Sequence, residues 1–161
     1  MSKLIVVEGD PVNGTDTHNV TGMTTSNPPV PYTGTAQFSY SGSMTQGLSD
    51  FVRIDDIPVA LVTSRSTLPP SETAPPLGRH SGPTGSSFLP PAPAPQPLSL
   101  VIMDAPLGMG TPNAAAGSAL LTVNGVKVLL DGDLIDTCSG IGAPAGSKVS
   151  AQGQPFITCA V

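Results

Sequence analysis

Residues 120–138, LLTVNGVKVLLDGDLIDTC, decide the fold. Asn124-Gly125 stands between two apolar runs, and a two-residue type I′ turn needs positive φ at both central positions, which Asn and Gly tolerate best. The spacing predicts a hairpin. With Val123 opposite Val126, strand alternation places Leu121, Val123, Val126, Val128 and Leu130 on one face, and Thr122, Lys127 and Asp131 on the other. Leu129 alone breaks the pattern.

Working outward, the same unit is expected twice more. Residues 54–61, IDDIPVAL, and residues 151–158, AQGQPFIT, both align under 123–130, VNGVKVLL. Each reads as an apolar residue, two turn residues, any residue, Pro or Lys, then an apolar strand. The copies are uneven: Asp55-Asp56 is a poorer turn than Asn-Gly, and the third copy has Gln154 and Thr158 where the others are apolar. A lone hairpin cannot bury its single apolar face. Three copies therefore predict three small sheets sharing a core around a pseudo-threefold axis.

Composition agrees with an all-β protein of short antiparallel strands. The chain has 161 residues, about one domain. It carries 18 Gly and 19 Pro, no Trp, and no window suited to a long amphipathic helix. The core is expected to be thin and aliphatic. The net charge of −5 comes from sparse carboxylates, and the six Lys and Arg form no stripe, which argues against nucleic acid as a partner. The opening MSKLIVVEGDP has an apolar run of only four residues, too short for a signal peptide or a membrane span, so cytoplasmic synthesis and folding are expected. In that compartment two cysteines point to buried thiols or metal ligands ahead of a disulfide.

In chain order, residues 4–7 read as a first strand, followed by a polar, turn-rich loop, VNGTDTHNVTGMTTS, that carries His18. Its low apolar content leaves its position to backbone hydrogen bonds or a ligand. Ala36, Phe38 and Tyr40 alternate in a short strand. Residues 65–97 hold ten of the prolines, and because proline cannot donate to a sheet ladder they read as an irregular or polyproline II insertion within the single domain. A surface loop is the plainer interpretation of that insertion, a ligand for aromatic grooves the functional one. Residues 99–103 return to strand character; 104–117 and 132–148 read as a turn region and a Gly-rich connection.

Catalysis finds little support. The sequence has no G-x-S-x-G elbow, H-E-x-x-H pair or P-loop. Cys138, His18 and Asp136 could be assembled on paper, but a nucleophilic thiol needs a cationic setting, and Asp133 with Asp136 supplies the opposite. Asp55-Asp56 sits in an expected turn, where Asp is common for backbone reasons. A non-enzymatic role is expected.

The opening VVEGDPVNGTDTH of residues 6–18, the repeated strand-turn-strand units and the GDLIDTC of residues 132–138 resemble a PAAR-repeat protein, the pointed spike tip of contractile injection systems such as type VI secretion and extracellular phage-tail-like particles. PVPYTG at residues 29–34 resembles the divergent PAAR-like branch. The resemblance implies a small cone with a threefold base docked on a homotrimeric VgrG-like spike, one copy per trimer, and a vertex that pierces and transiently contacts a target membrane. Baseplate proteins and effector cargo are further partners it implies. It also implies a structural zinc near the vertex. His18, His80, Cys138 and Cys159 are every histidine and cysteine in the chain, and two His with two Cys can close a tetrahedral zinc site. Inert buried thiols, a solvated loop histidine and a Cys138–Cys159 disulfide are the alternatives for these residues. From other classes, a small extracellular β-module binding a cell-surface ligand and another baseplate component of the particle compete with the tip.

Overall fold

The computed structural model describes residues 1–24, 27–68, 88–89, 97–103, 109–137 and 147–160. In chain order these form β1 (Ser2–Leu4), β2 (Pro11–Thr24), β3 (Pro31–Gln46), β4 (Arg53–Ile54), β5 (Ile57–Pro58), β6 (Arg65–Thr67) and β7 (Phe88–Leu89). There follow β8 (Pro97–Ile102), β9 (Met109–Pro112), β10 (Thr122–Val123), β11 (Val126–Lys127), β12 (Leu134–Thr137), β13 (Ser147–Val149) and β14 (Thr158–Ala160). The protein is all-β, and there is no helix among the described residues.

Two of the expected hairpins form at their expected turns. β10 and β11 pair across Asn124-Gly125, at φ 51° and 80°. β4 and β5 pair across Asp55-Asp56, at φ 50° and 63°. The third hairpin is assembled differently from the sequence expectation. Residues 151–157 make no hairpin; instead β14 pairs with β1, Lys3 opposite Cys159 and Leu4 opposite Thr158. Ser2 and Ala160 thus face each other at the level where the other two hairpins turn. The local pattern at 151–158 lacks positive-φ turn residues, so the unit closes through the chain's two ends.

Each hairpin runs straight into a three-residue segment, 5–7, 59–61 or 128–130, and these close a ring. Val6 N–H donates to Leu129 O (3.1 Å), Leu129 N–H to Ala60 O (3.0 Å) and Ala60 N–H to Val6 O (2.9 Å). Bridges Ile5–Leu130, Val7–Val59 and Leu61–Val128 complete the triangle. Val6, Ala60 and Leu129 point to one side, into a cluster with Val12, Tyr40, Met44 and Ile135. Their neighbours Ile5, Val7, Val59, Leu61, Val128 and Leu130 point to the other. Both sides of the ring are buried, which is why Leu129 departs from simple alternation.

Beyond the ring, β2, β3, β6, β9, β12 and β13 pair in chain order, and β13 pairs back with β2, closing a six-stranded antiparallel barrel. A barrel of about eight strands is only wide enough to be filled by side chains, and six leave less room. The lumen accordingly carries Gly42, Ser66, Gly110, Thr137 and Ser147, all buried. A Cβ on Gly110 would stand 2.5 Å from Ser66 Oγ and 2.7 Å from Thr137 Cγ2. The hydroxyls satisfy one another: Tyr40 with Ser66 at 2.9 Å, and Thr137 with Ser147 at 2.8 Å.

Several connections expected as loops are strands. The polar stretch after Pro11 is the 14-residue β2, paired with the 16-residue β3 from Pro11–Ser43 to Met23–Pro31. Backbone ladder bonds hold it, one of the two means its composition allowed, and β-branched Thr and Val suit the extended chain. Arg65–Thr67, the start of the proline-rich stretch, contains no proline and belongs to the barrel; Leu68 is in the core. Met109–Pro112, Leu134–Thr137 and Ser147–Val149 are barrel strands too. The strand expected at 99–103 is present as β8, which pairs with the outer part of β2, while β7 pairs with β3.

Candidate functional site

The end of the molecule opposite the long β2–β3 pair is built from one motif used three times. Ser49, Ser118 and Gln154 are buried polar residues that each precede a hairpin's first strand. Ser49 Oγ accepts Val52 N–H (3.0 Å), Ser118 Oγ accepts Leu120 and Leu121 N–H (3.0 and 2.9 Å), and Gln154 Oε1 accepts Phe156 and Ile157 N–H (3.1 and 2.7 Å). On their other side, Ser49 N–H donates to Val59 O (2.9 Å) and Ser118 N–H to Val128 O (2.8 Å). Gln154 does the same with its side chain, Nε2 donating to Ile5 O at 2.8 Å. The sequence does not announce this motif, because at Gln154 an amide side chain replaces the backbone N–H that Ser49 and Ser118 use.

This motif turns the following side chains outward. Phe51, Leu120 and Phe156 occupy equivalent positions and are 63%, 73% and 58% exposed. The next residues, Val52, Leu121 and Ile157, wall a cavity of about 310 Å³ whose floor is Ile5, Val59 and Val128, the first residue of each ring segment. These walls and this floor take one member from each repeat, about the pseudo-threefold axis, and Arg53, Ile54 and Val123 complete the lining. Three apolar knobs surround a mainly apolar socket, with the charged Arg53 in its lining.

The Gly-Asp pairs behind this face are structural. Asp10 Oδ2 accepts Val7 N–H at 2.7 Å, and its Oδ1 accepts Gln152 and Gly153 N–H, both at 2.7 Å. Asp133 Oδ2 accepts Leu130 N–H (2.9 Å) and Gly117 N–H (2.8 Å). In the middle repeat Ser64 takes the position, accepting Leu61 N–H and donating to Gly47 O, both at 2.8 Å. Each clamps a ring segment to the loop that carries a knob. Asp136 is likewise engaged, accepting Asn113 Nδ2 at 3.1 and 3.2 Å.

Of the four residues considered for zinc, the two described ones, Cys159 and His18, lie in different parts of the fold. Cys159 is buried in the cluster on the hairpin side of the ring, at the hairpin position that Ile54 and Val123 occupy in the other repeats, with its thiol 3.2 Å from Ser118 Oγ and 3.3 Å from Ala160 O. It fills space as a small apolar side chain does. His18 is also fully buried, but on β2, six residues beyond Val12, which itself lies on the barrel side of the ring. At a strand rise of about 3.3 Å per residue that is roughly 20 Å of chain beyond Val12. Zinc ligands lie about 2.0–2.3 Å from the ion, so Cys159 and His18 cannot share one. His18 is thus a strand residue rather than the solvated loop histidine weighed above. His80 and Cys138 lie outside the described residues, and with Cys138 the proposed disulfide. Among the described residues no group of three or more His, Cys, Asp or Glu side chains is placed to hold a metal ion.

No family model, no curated protein and no solved structure matches this chain.

Proposed function

We propose that the protein is a structural cap, the PAAR-like tip of a contractile injection particle, seated by its knob-and-socket base on the blunt end of a homotrimeric spike. The observation that carries this is the threefold equivalence of Phe51, Leu120 and Phe156, supplied by one polypeptide. A surface with three near-equal sectors complements a homotrimer with one copy per trimer, which an ordinary monomer surface does not. The opposite end supports the same orientation: Met23, Val101 and Met103, 43%, 50% and 62% exposed, lie on the outer part of β2 and beside it, far from the knobs, and suit transient contact with a target membrane.

The zinc part of this reading rests on His18, His80 and Cys138, because Cys159 packs among apolar side chains. Native mass spectrometry with a homotrimeric VgrG-like spike tests both parts, because stoichiometry and bound metal are read in one spectrum. One copy per trimer is the expected result. Three copies per trimer, or no complex, would overturn the cap, and metal-free protein would remove the zinc.

A further inference from the structure

We infer that the axial socket is a binding site for apolar side chains contributed one from each chain of a homotrimer, so that the partner ends in a small apolar point on its axis. This rests on the cap reading and specifies what the partner must present. The socket's walls, Val52, Leu121 and Ile157, and its floor, Ile5, Val59 and Val128, each comprise one residue per repeat, with Arg53, Ile54 and Val123 beside them. A ligand that touches all three sectors alike must itself be threefold, or be small enough to lie on the axis. The volume of about 310 Å³ is about twice that of an apolar cavity that holds one benzene, which suits two or three small aliphatic groups.

Area points the same way. Aromatic side chains bury about 150–250 Å² each, and at the observed exposures the knobs and walls together present on the order of 500 Å² of apolar surface. That is at the upper end for a monomer's largest apolar patch. It is also close to the apolar share of the roughly 800 Å² that each partner buries in a stable complex. Knobs alone would leave the axis void; an apolar group seated in the socket removes it.

The test fills the socket from each wall in turn. Leu121→Trp, Val52→Trp and Ile157→Trp are made separately, melting is recorded for each, and affinity for the trimeric spike is measured by titration. Three folded variants that each bind about thirtyfold more weakly or worse, the scale of an interface hot spot, are expected. Wild-type affinity in the folded variants, with the wild-type cap still bound one per trimer, would overturn the socket and leave the cap reading standing. Loss from one wall only would overturn a threefold occupant. No binding by the wild type would overturn the cap and the socket with it. If one tryptophan prevents folding, Phe at the same position provides the same readout with less volume.

Discussion

The Asp10 carboxylate accepts the backbone N–H of Gly153 at 2.7 Å, joining residues 143 positions apart. The same carboxylate closes the turn after the first ring segment through Val7 N–H. One buried side chain therefore fixes both the ring and the loop that projects Phe156. Hydrogen bonds to a charged group contribute about 1.5–3 kcal/mol, and an unpaired buried N–H costs about 1–3 kcal/mol. Asp10→Ala is expected to lose about 4 kcal/mol, and Asp10→Asn about half of that, in chemical denaturation. Equal stability of the two variants with wild type would show that the clamp is dispensable.

The Asp55-Asp56 turn holds two non-glycine residues at positive φ, where Asn-Gly sits in the sister hairpin. A left-handed conformation costs a side-chain-bearing residue about 1–2 kcal/mol. Asp55→Asn with Asp56→Gly should raise stability by about 1 kcal/mol and the melting temperature by about 2–4 °C. A fall in melting temperature would mean that the aspartates make contacts that outweigh their backbone strain.

Cys159 stands where Ile54 and Val123 stand in the other repeats. Cys159→Val is expected to stay within about 1.5 kcal/mol of wild type, as a near-isosteric apolar exchange does, and to leave metal content unchanged. Metal lost by this variant alone would restore Cys159 as a ligand.

Gly110 faces Ser66, Thr137 and Ile135 across the barrel lumen, and an added Cβ would approach each within 2.8 Å. Gly110→Val should cost about 3 kcal/mol or more, the upper range for overpacking, and Gly110→Ala less. If Gly110→Val melted with wild type, the lumen would be wider than the side-chain positions indicate.

Ser2 opposite Ala160 marks the level of a missing turn. Joining Ala160 to Ser2 through Asn-Gly, and opening the chain between Asp55 and Asp56, should give a permutant within about 1 kcal/mol of the parent, because the cut falls in an exposed turn. Circular dichroism and melting would check it; an unfolded permutant would argue that the three hairpins are not interchangeable.

What the sequence by itself determined is local. Asn124-Gly125 and Asp55-Asp56 announce hairpins because a two-residue turn makes φ demands that few residues meet, and the Gly and Pro content with no helical window marks an all-β chain. Two of three repeats were legible for that reason. The tertiary structure decided the rest. The pairing of Lys3 with Cys159 has no turn to signal it, and follows only once the ring brings the chain's ends to the remaining sector. The long β2 reads as loop because its outward residues are polar, and only pairing with β3 makes it a strand. His18 and Cys159 looked like members of one inventory, yet opposite sides of a ring closed by Val6, Ala60 and Leu129 keep them apart. The equivalence of Phe51, Leu120 and Phe156 is likewise a product of ring closure, since the backbone N–H groups of Ser49 and Ser118 and the side chain of Gln154 bond the equivalent carbonyls of Val59, Val128 and Ile5.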